Sequence, residues 1–401
     1  MNERFDKPKQ IIHRLNQAGY EAFFVGGSVR DILLGREIGD VDIATSALPE
    51  DVMSLFPKTI PVGIEHGTVI VQLEHEMYEV TTFRTEGDYQ DHRRPSEVLF
   101  VSSLVEDLKR RDFTINAMAM TADGHLIDPF KGKNDLDRRI IRTVGDPKER
   151  FSEDALRMMR AIRFSSQLSF SLDRETKLAI KEHGHMLGHI SMERIAIEFE
   201  KILLGQNARE ALQHLVDTEL YRYLPALADR GSAIMMFARL PIHRMEKAQE
   251  MWTAFVLTLQ FDEVKTFFRQ WKQPRRLQQQ AQTFLNGIKH IQQEGWTIEI
   301  IYQFGLYDSL SMATILSVLN GDDDKSYLEA LALIRRFYQS LPIKSRKQLQ
   351  VNGDDLMHWF SKKAGPWIEE YLQLIERAIL NGNVINERDQ IREWLDRCNR
   401  L

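Results

Sequence analysis

A single cysteine, Cys398, and no apolar run near the ~20 residues of a membrane span set the first limits on this 401-residue chain. One thiol forms no internal disulfide and builds no zinc knuckle. Met1-Asn2-Glu3-Arg4 begins no signal peptide, so the expected compartment is the cytoplasm and no membrane partner is expected. Proline and glycine are sparse, at 12 and 22 residues, and there is no internal repeat or low-complexity segment. Excess positive charge is also missing. A net charge of −5 argues against binding polyanions over the whole surface, so an RNA partner would need local basic patches. The 43% apolar and 28% charged residues are the composition of an ordinary globular protein. The length suits roughly two to four domains.

The chemistry is concentrated in VGGSVRDILLGREIGDVDIAT, from Val25 to Thr45. Ala22-Phe23-Phe24-Val25 reads as a short buried strand, broken at once by Gly26-Gly27. Ser28 opens a short helical pattern through Val29, Ile32 and Leu33 that stops at Gly35. Two glycines between a strand and a helix let backbone N–H groups approach a phosphate with no Cβ in the way. Asp40-Val41-Asp42 then enters a second strand-like run, whose period of two puts both aspartates on one face. Paired carboxylates repel unless a cation sits between them, and hard oxygen ligands suit Mg²⁺. Alone, a GG pair is an ordinary turn and D-x-D a solvated strand edge. In this order and within about twenty residues they form the kit for two-metal nucleotidyl transfer.

GGSVRD followed by DVDIAT resembles the polymerase-β-type nucleotidyltransferases, and more narrowly the class II CCA-adding tRNA nucleotidyltransferases and the related bacterial poly(A) polymerases. The likeness is specific from Gly26 to Arg163 and looser but continuous to the end, including Val351-Asn352-Gly353-Asp354-Asp355 and Gly365-Pro366-Trp367. The fold class it implies is α+β: a head with a mixed β-sheet and helices, followed by an all-α neck, body and tail. The expected divisions are a catalytic head over 1–142, a neck over 143–205, a body over 206–320 and a tail over 321–401. The tail starts at the linker-like Gly321-Asp322-Asp323-Asp324.

Along the chain, Ile11, Ile12 and Leu15 predict an opening helix, and Ser46 is read as the cap of a helix carrying Val52, Met53 and Leu55. Thr68–Val71 and Tyr78–Thr81 read as a hairpin around Glu74-His75-Glu76. Glu79 alternates with Val80, so it either joins Asp40 and Asp42 on one surface or is a solvated strand carboxylate. Glu86 to Ser96 reads as a polar loop. In the family, enzymes that add only CC are described as lacking a flexible loop here. Ser103 starts a helix expected to run into Lys109-Arg110-Arg111-Asp112-Phe113-Thr114-Ile115-Asn116-Ala117. RRDFTINA resembles the second family motif, whose arginine at the place of Arg111 contacts the nucleotide. Without that likeness, Arg111 would read as a surface partner of Asp112.

Glu153 to Phe164 is strongly helical in pattern, with Asp154, Arg157, Arg160 and Arg163 recurring every third residue. Such a stripe is ordinarily a solvated face. E-D-x-x-R after the head, however, resembles the family's motif for choosing the incoming base. Three residues apart on a helix, Asp154 and Arg157 would set an acceptor beside a donor, and Glu153 would hold Arg157 flat. His183, His185 and His189 invite a metal reading, but Gly184 and Gly188 interrupt any helix face. Basic residues beside aromatics at Arg269-Gln270-Trp271-Lys272 and Arg335-Arg336-Phe337-Tyr338, leading to Lys344, Arg346 and Lys347, suit either RNA or a plain helical surface. No H-D pair occurs, so a fused HD-type phosphohydrolase is absent.

The implied function is addition of C, C and A to the tRNA 3′ end from CTP and ATP, releasing pyrophosphate. Asp40 and Asp42 would hold Mg²⁺, with Glu79 as a further catalytic carboxylate. Gly27 and Arg30 would hold the triphosphate, Arg111 would add charge near the nucleotide, and Asp154, Arg157, Arg160 and Arg163 would meet the base. The implied partners are the tRNA 3′ end, CTP and ATP, with monomer and homodimer both open. A poly(A) polymerase, a partial enzyme adding only CC or A, and an inactive RNA-binding relative share most of these motifs. The intact Asp40 and Asp42 argue against the last.

Overall fold

Ile11, Ile12 and Leu15 are all fully buried, and they dock α1 (Lys9–Gln17) against β1 (Ala22–Val25). The computed structural model describes residues 3–86, 89–90, 94–95, 98–261 and 263–398. After α2 (Gly27–Leu33), β2 (Asp42–Thr45) pairs antiparallel with β1. Next come α3 (Pro49–Leu55) and the antiparallel run of β3 (Thr59–Gly63), β4 (Thr68–Leu73) and β5 (Glu76–Thr82). β5 returns to lie parallel to β2. The hairpin expected around Glu74 is present. β3 was not among the expected strands; its Pro61 lacks an N–H, which an edge strand tolerates, and β3 is the sheet edge.

Ser46 is not the cap of α3. Leu48 holds the N-cap position, its N–H donates to Asp51, and Pro49 starts the helix. Ser46 Oγ instead accepts from the Glu21 N–H at 2.9 Å. Glu86 to Ser96 is not a plain loop where it is described. β6 (Arg84–Glu86), β7 (Tyr89–Gln90), β8 (Arg94–Pro95) and β9 (Val98–Phe100) form two antiparallel ladders, β6 with β9 and β7 with β8. The rest of that stretch, and with it any mobile-loop role, lies outside the described residues.

Helix α4 (Leu104–Lys109) stops before the motif it was expected to run through. Phe113 is extended and bridges to Thr143, and a 3₁₀ turn takes up Thr114–Asn116. Backbone bonds from Thr114 N to Arg142 O and from Val144 N to Asp112 O hold this segment to a neighbouring strand-like stretch rather than to a helix. β10 (Ala119–Met120) and β11 (Leu126–Ile127) complete a seven-stranded mixed sheet in the order β11-β10-β1-β2-β5-β4-β3. β1 and β2 therefore lie inside the sheet, and the Gly26 turn leaves from its buried middle.

From α5 (Gly132–Arg138) onward the chain is almost entirely helical. β12 (Ile140–Ile141) is followed by α6 (Pro147–Glu153), α7 (Leu156–Leu168), β13 (Ser171–Leu172) and α8 (Arg174–His183). α9 (Met192–Leu203), α10 (Ala208–Asp217) and α11 (Gly231–Arg239) complete the first of two compact units, Met1–Arg239 with Thr266–Gln273. In this unit α7 packs against α9 and α10. The second unit, Leu240–Lys265 with Pro274–Leu401, holds α12 (Ala248–Thr258). α13 (Val264–Gln270) begins there and runs into the first unit. The second unit continues with α14 (Arg275–Glu294), α15 (Ile298–Asn320), α16 (Asp324–Ser340), α17 (Gly353–Phe360), α18 (Trp367–Leu380) and α19 (Arg388–Arg397). Its core joins Ile301, Ile334, Leu356, Ile379 and Ile391. Gly321, left-handed at φ 69°, makes the turn from α15 to α16. Among the described residues no helix is long and apolar enough to cross a membrane.

Candidate active site

Gly26 is the hinge on which the site is built. Its φ of 73° is a conformation that L side chains rarely adopt, and it turns the chain out of β1 into α2. A Cβ added there would lie 3.1 Å from Arg111 Nη1 and 3.6 Å from Asp42 Oδ2. Gly26 thus sits between the arginine of one motif and the carboxylate of the other. The next glycine, Gly27, opens α2 beside Arg30, whose Nη2 would be 3.5 Å from a Cβ there.

Asp42 is the first residue of β2. It pairs with Val25 on one side and with Glu79 across the parallel ladder on the other. Asp40 lies before the strand and is exposed, so the two aspartates do not share a regular strand face as the period of two predicted. Val41 between them is buried as expected. Burial raises the Asp42 pKa to about 6, with Glu79 and then Asp40 adding repulsion and Arg111 opposing them. Three carboxylates therefore act on one another around Asp42. Among the described residues, however, no group of three His, Cys, Asp or Glu side chains is drawn tightly enough to hold a metal. That applies equally to His183, His185 and His189.

Each arginine on the cavity wall is fixed by a carboxylate. Arg30 grips Asp31 through Nε and Nη2, both at 2.9 Å, and Nη1 donates to Asn116 Oδ1 at 2.8 Å. Arg111 pairs with buried Asp107 at 3.1 Å, not with Asp112. Burial pushes Asp107 up, but Arg111 and Arg110 outweigh it and hold the carboxyl below its ordinary range. Asp112 is buried against Arg160. Its burial is likewise outweighed, by Arg160, Asn116 and Arg157, and its pKa falls to about 2. Arg163 reaches Glu198 of α9 at 2.7 Å. Arg30, Arg160 and Arg163 stand at 5.3, 5.5 and 4.1 Å from the ring centre of Phe164.

Glu153 to Phe164 is two helices, not one. α6 ends at Glu153, Asp154 is extended at φ −135° and ψ 103°, and α7 starts at Leu156. The break is stabilised by Asp154 itself, whose Oδ1 accepts the Leu156 N–H at 3.0 Å. Glu153 does hold Arg157, at 2.6 Å, while Arg157 also donates to the Arg150 and Arg110 carbonyls. Arg157 keeps two of its five N–H donors unused in these bonds.

All of this converges on one cavity of about 520 Å³ within the first unit. Gly26, Gly27, Arg30, Asp42 and Arg111 line it together with Asp154, Arg157, Arg160 and Arg163. Glu79 and Asp40 are near Asp42 but not on that wall. Sequence reading missed Asn116, Phe164 and Arg194, which also line the cavity. Asn116 lies inside the quoted RRDFTINA stretch, and Phe164 ends the helical pattern that starts at Glu153. Arg194 carried no signal, because α9 follows 40 residues after the Asp154 it contacts.

The expected RNA patches fare unevenly. Trp271 is fully buried against Phe199 and Phe267, and its Nε1 donates to Pro225 O, so it offers no face to a base. Arg346 is occupied by Glu369 and Glu376, whereas Lys344 lies over Tyr338 at 5.1 Å.

Three family models match the chain. The poly(A) polymerase head domain covers residues 22–142, an RNA and SrmB binding site of polymerase A covers 169–230, and tRNA nucleotidyltransferase domain 2 covers 243–395. A CCA-adding enzyme of Geobacillus sp. (strain WCH70) is 52% identical over 98% of this chain and 97% of its own. One of Bacillus cereus (strain AH820) is 47% identical over the full length of both. Among solved structures, the Bacillus stearothermophilus CCA-adding enzyme in complex with CTP superposes with a TM-score of 0.92. It is 46% identical and covers 100% of this chain and 98% of its own. A Thermotoga maritima CCA-adding enzyme, 21% identical with a TM-score of 0.67 over 99% of this chain and 96% of its own, shares the fold.

Proposed function

The chain belongs to the CCA-adding enzymes, the tRNA nucleotidyltransferases that build the 3′-terminal CCA, and from that premise we propose how its residues divide the work. The observation that carries the proposal is the shared cavity: Gly26, Gly27 and Asp42 face the same space as Asp154 and Arg157. A nucleoside triphosphate spans such a space with its phosphates at one end and its base at the other. CTP and ATP are the substrates, and the tRNA 3′ end is the acceptor. The proposed parts are a head over 1–142, a neck over 143–205, and a body and tail meeting at 320, working in the cytoplasm with the tRNA pool.

With no set of three protein ligands drawn together among the described residues, the carboxylates fit a divalent cation as a pair whose other ligands come from the nucleotide phosphates and water. Asp42 carries a carboxyl raised by burial, Glu79 and Asp40, as expected where negative charge is gathered without enough counter-charge. The donors are hard oxygens, which suit Mg²⁺. Asp40 and Asp42 would hold it, with Glu79 beside them. When bound, Mg²⁺ lowers the pKa of the attacking hydroxyl and neutralises charge on the departing pyrophosphate.

The chain's own residues do the rest. The Gly27 backbone and the unused donors of Arg30 hold the triphosphate, and Arg111 faces the phosphate nearest Asp42. Arg160 and Arg163 add positive charge around Phe164. The tRNA 3′ oxygen then attacks the α-phosphorus in line, the bond to the bridging oxygen breaks, and pyrophosphate leaves. Asp154 accepts from the base amino group and Arg157 donates to the neighbouring ring nitrogen. Cytosine offers N4 amino beside N3, and adenine N6 amino beside N1, so both satisfy this pair. Uracil and guanine reverse the pattern and leave groups unpaired, at about 1–3 kcal/mol each.

The test uses tRNA lacking its 3′ end, each labelled nucleotide, and product mapping. C, C and a single A are expected in order. A run of A without prior C, or a product stopping at CC, would overturn the proposal. Asp154→Asn should admit UTP, because its amide can donate to O4, and unchanged CTP-over-UTP selectivity would remove Asp154 from base reading.

A further inference from the structure

We propose that Arg194 is a positioning residue for base selection, one that turns Asp154 toward the nucleotide; this rests on the reading of Asp154 given above. Asp154 sits in the gap between α6 and α7, where no helix fixes its side chain. Two contacts do so instead. Its Oδ1 accepts the Leu156 N–H at 3.0 Å, and its Oδ2 accepts from Arg194 Nη2 at 2.9 Å. A carboxylate accepts about four hydrogen bonds, so acceptor capacity remains for a ligand while both oxygens are anchored.

The other arginines of the cavity are tied to carboxylates with no assigned part in reading the base. Arg30 pairs with Asp31, Arg111 with Asp107, Arg160 with Asp112, and Arg163 with Glu198. Arg157 is itself a reader and is tied to Glu153. Arg194 differs because its carboxylate is the reader. Its Nη1 is buried with no hydrogen-bond partner among the described residues, so Asp154 is the contact that orients this guanidinium. The dependence is mutual. Without Arg194, Oδ2 loses its anchor and the carboxylate rotates about the Leu156 contact, so the edge it presents no longer fits one base pattern. α9 thereby contributes to specificity without touching the nucleotide.

The experiment measures kcat/KM for CTP and UTP in Arg194→Gln, Arg194→Met and Arg194→Lys, with Asp154→Asn in parallel and melting temperatures for all. Arg194→Gln and Arg194→Met are expected to lower CTP-over-UTP selectivity at least tenfold, with the KM for tRNA unchanged. Arg194→Lys keeps a charged donor and is expected to recover most of the selectivity, which a purely structural defect would not show. Adding Arg194→Gln to Asp154→Asn should cost no further selectivity. If Asp154→Asn is relaxed but the folded Gln and Met variants discriminate like the wild type, the Arg194 proposal alone is overturned. If Asp154→Asn itself keeps wild-type selectivity, the base-reading role falls and this inference falls with it.

Discussion

Asp42 lies directly across the parallel β2–β5 ladder from Glu79, which makes the ionisation of one carboxylate felt by the other. The Asp42 value, raised by burial and then by Glu79 to about 6 from an ordinary 3.8, has a definite sign for stability. Folding favours the protonated form, so this contribution is fully present below the ordinary value and is lost as pH rises through about 6. Holding the ionised form at pH 8 costs about 2–3 kcal/mol. Asp42→Asn copies the protonated shape at every pH. In chelator it should melt higher than wild type at pH 8 and alike at pH 4. The same variant should lose C and A addition while keeping tRNA affinity. Equal melting at both pH values would mean that burial and the neighbouring carboxylates do not raise Asp42.

Asp112 has the opposite sign. Its value near 2 lies below the ordinary 3.8 because Arg160, Asn116 and Arg157 outweigh its burial. Its contribution is present above the ordinary value and is lost as pH falls from about 4 toward 2. Asp112→Asn should therefore cost about 2–4 kcal/mol at pH 7, since Arg160 is left without its carboxylate. The difference should narrow below about pH 4. Urea unfolding at pH 7 and at the lowest pH that keeps the fold would check this. A loss that stays constant with pH would point to packing rather than charge.

The strand–turn–helix–strand unit around Gly26 was legible because it is local. A buried AFFV run, a GG break and a D-x-D return fix β1, α2 and β2 within the reach of short hydrogen bonds. The break at Asp154 was not read from the sequence, because the residues around it suit a helix, whereas Asp is a poor interior helix former and its carboxylate here takes the Leu156 N–H. The end of α4 was hidden for a similar reason. The chain leaves the helix after Lys109 and Asp112–Thr114 pair with Arg142–Val144, and no spacing within the segment announces a partner that far along the chain. Trp271 looked available to RNA by composition, yet Phe199, contributed by α9, covers it.

Gly26→Ala tests the turn. At φ 73° and ψ −136° Gly26 lies outside the left-handed helical well, in a region sparsely populated by other residues, where a side chain costs about 1–3 kcal/mol. The new methyl would stand 3.1 Å from Arg111 Nη1, which must give way. A lower melting temperature is expected, together with a higher KM for CTP and ATP alike. An unchanged KM would mean that Arg111 can shift without affecting the nucleotide.

Phe164 separates gripping a nucleotide from reading it. The guanidiniums of Arg30, Arg160 and Arg163 stand 5.3, 5.5 and 4.1 Å from its ring centre, so three like charges gather around one π system. Such contacts are worth about 0.5–2 kcal/mol each. Leucine keeps an apolar side chain but removes the quadrupole, so the three guanidiniums, still tied to Asp31, Asp112 and Glu198, lose the ring's offset to their mutual repulsion. Their positive field over the phosphates then weakens, and the base end, held by Asp154 and Arg157, is untouched. Phe164→Leu should raise KM for CTP and ATP together by roughly 5- to 30-fold, about 1–2 kcal/mol. CTP-over-UTP selectivity should stay at the wild-type level. Steady-state kinetics with the three nucleotides would decide it. If selectivity fell while KM held, the ring would belong to the reading of the base, and the division of the cavity into a phosphate end and a base end would have to be redrawn around α7.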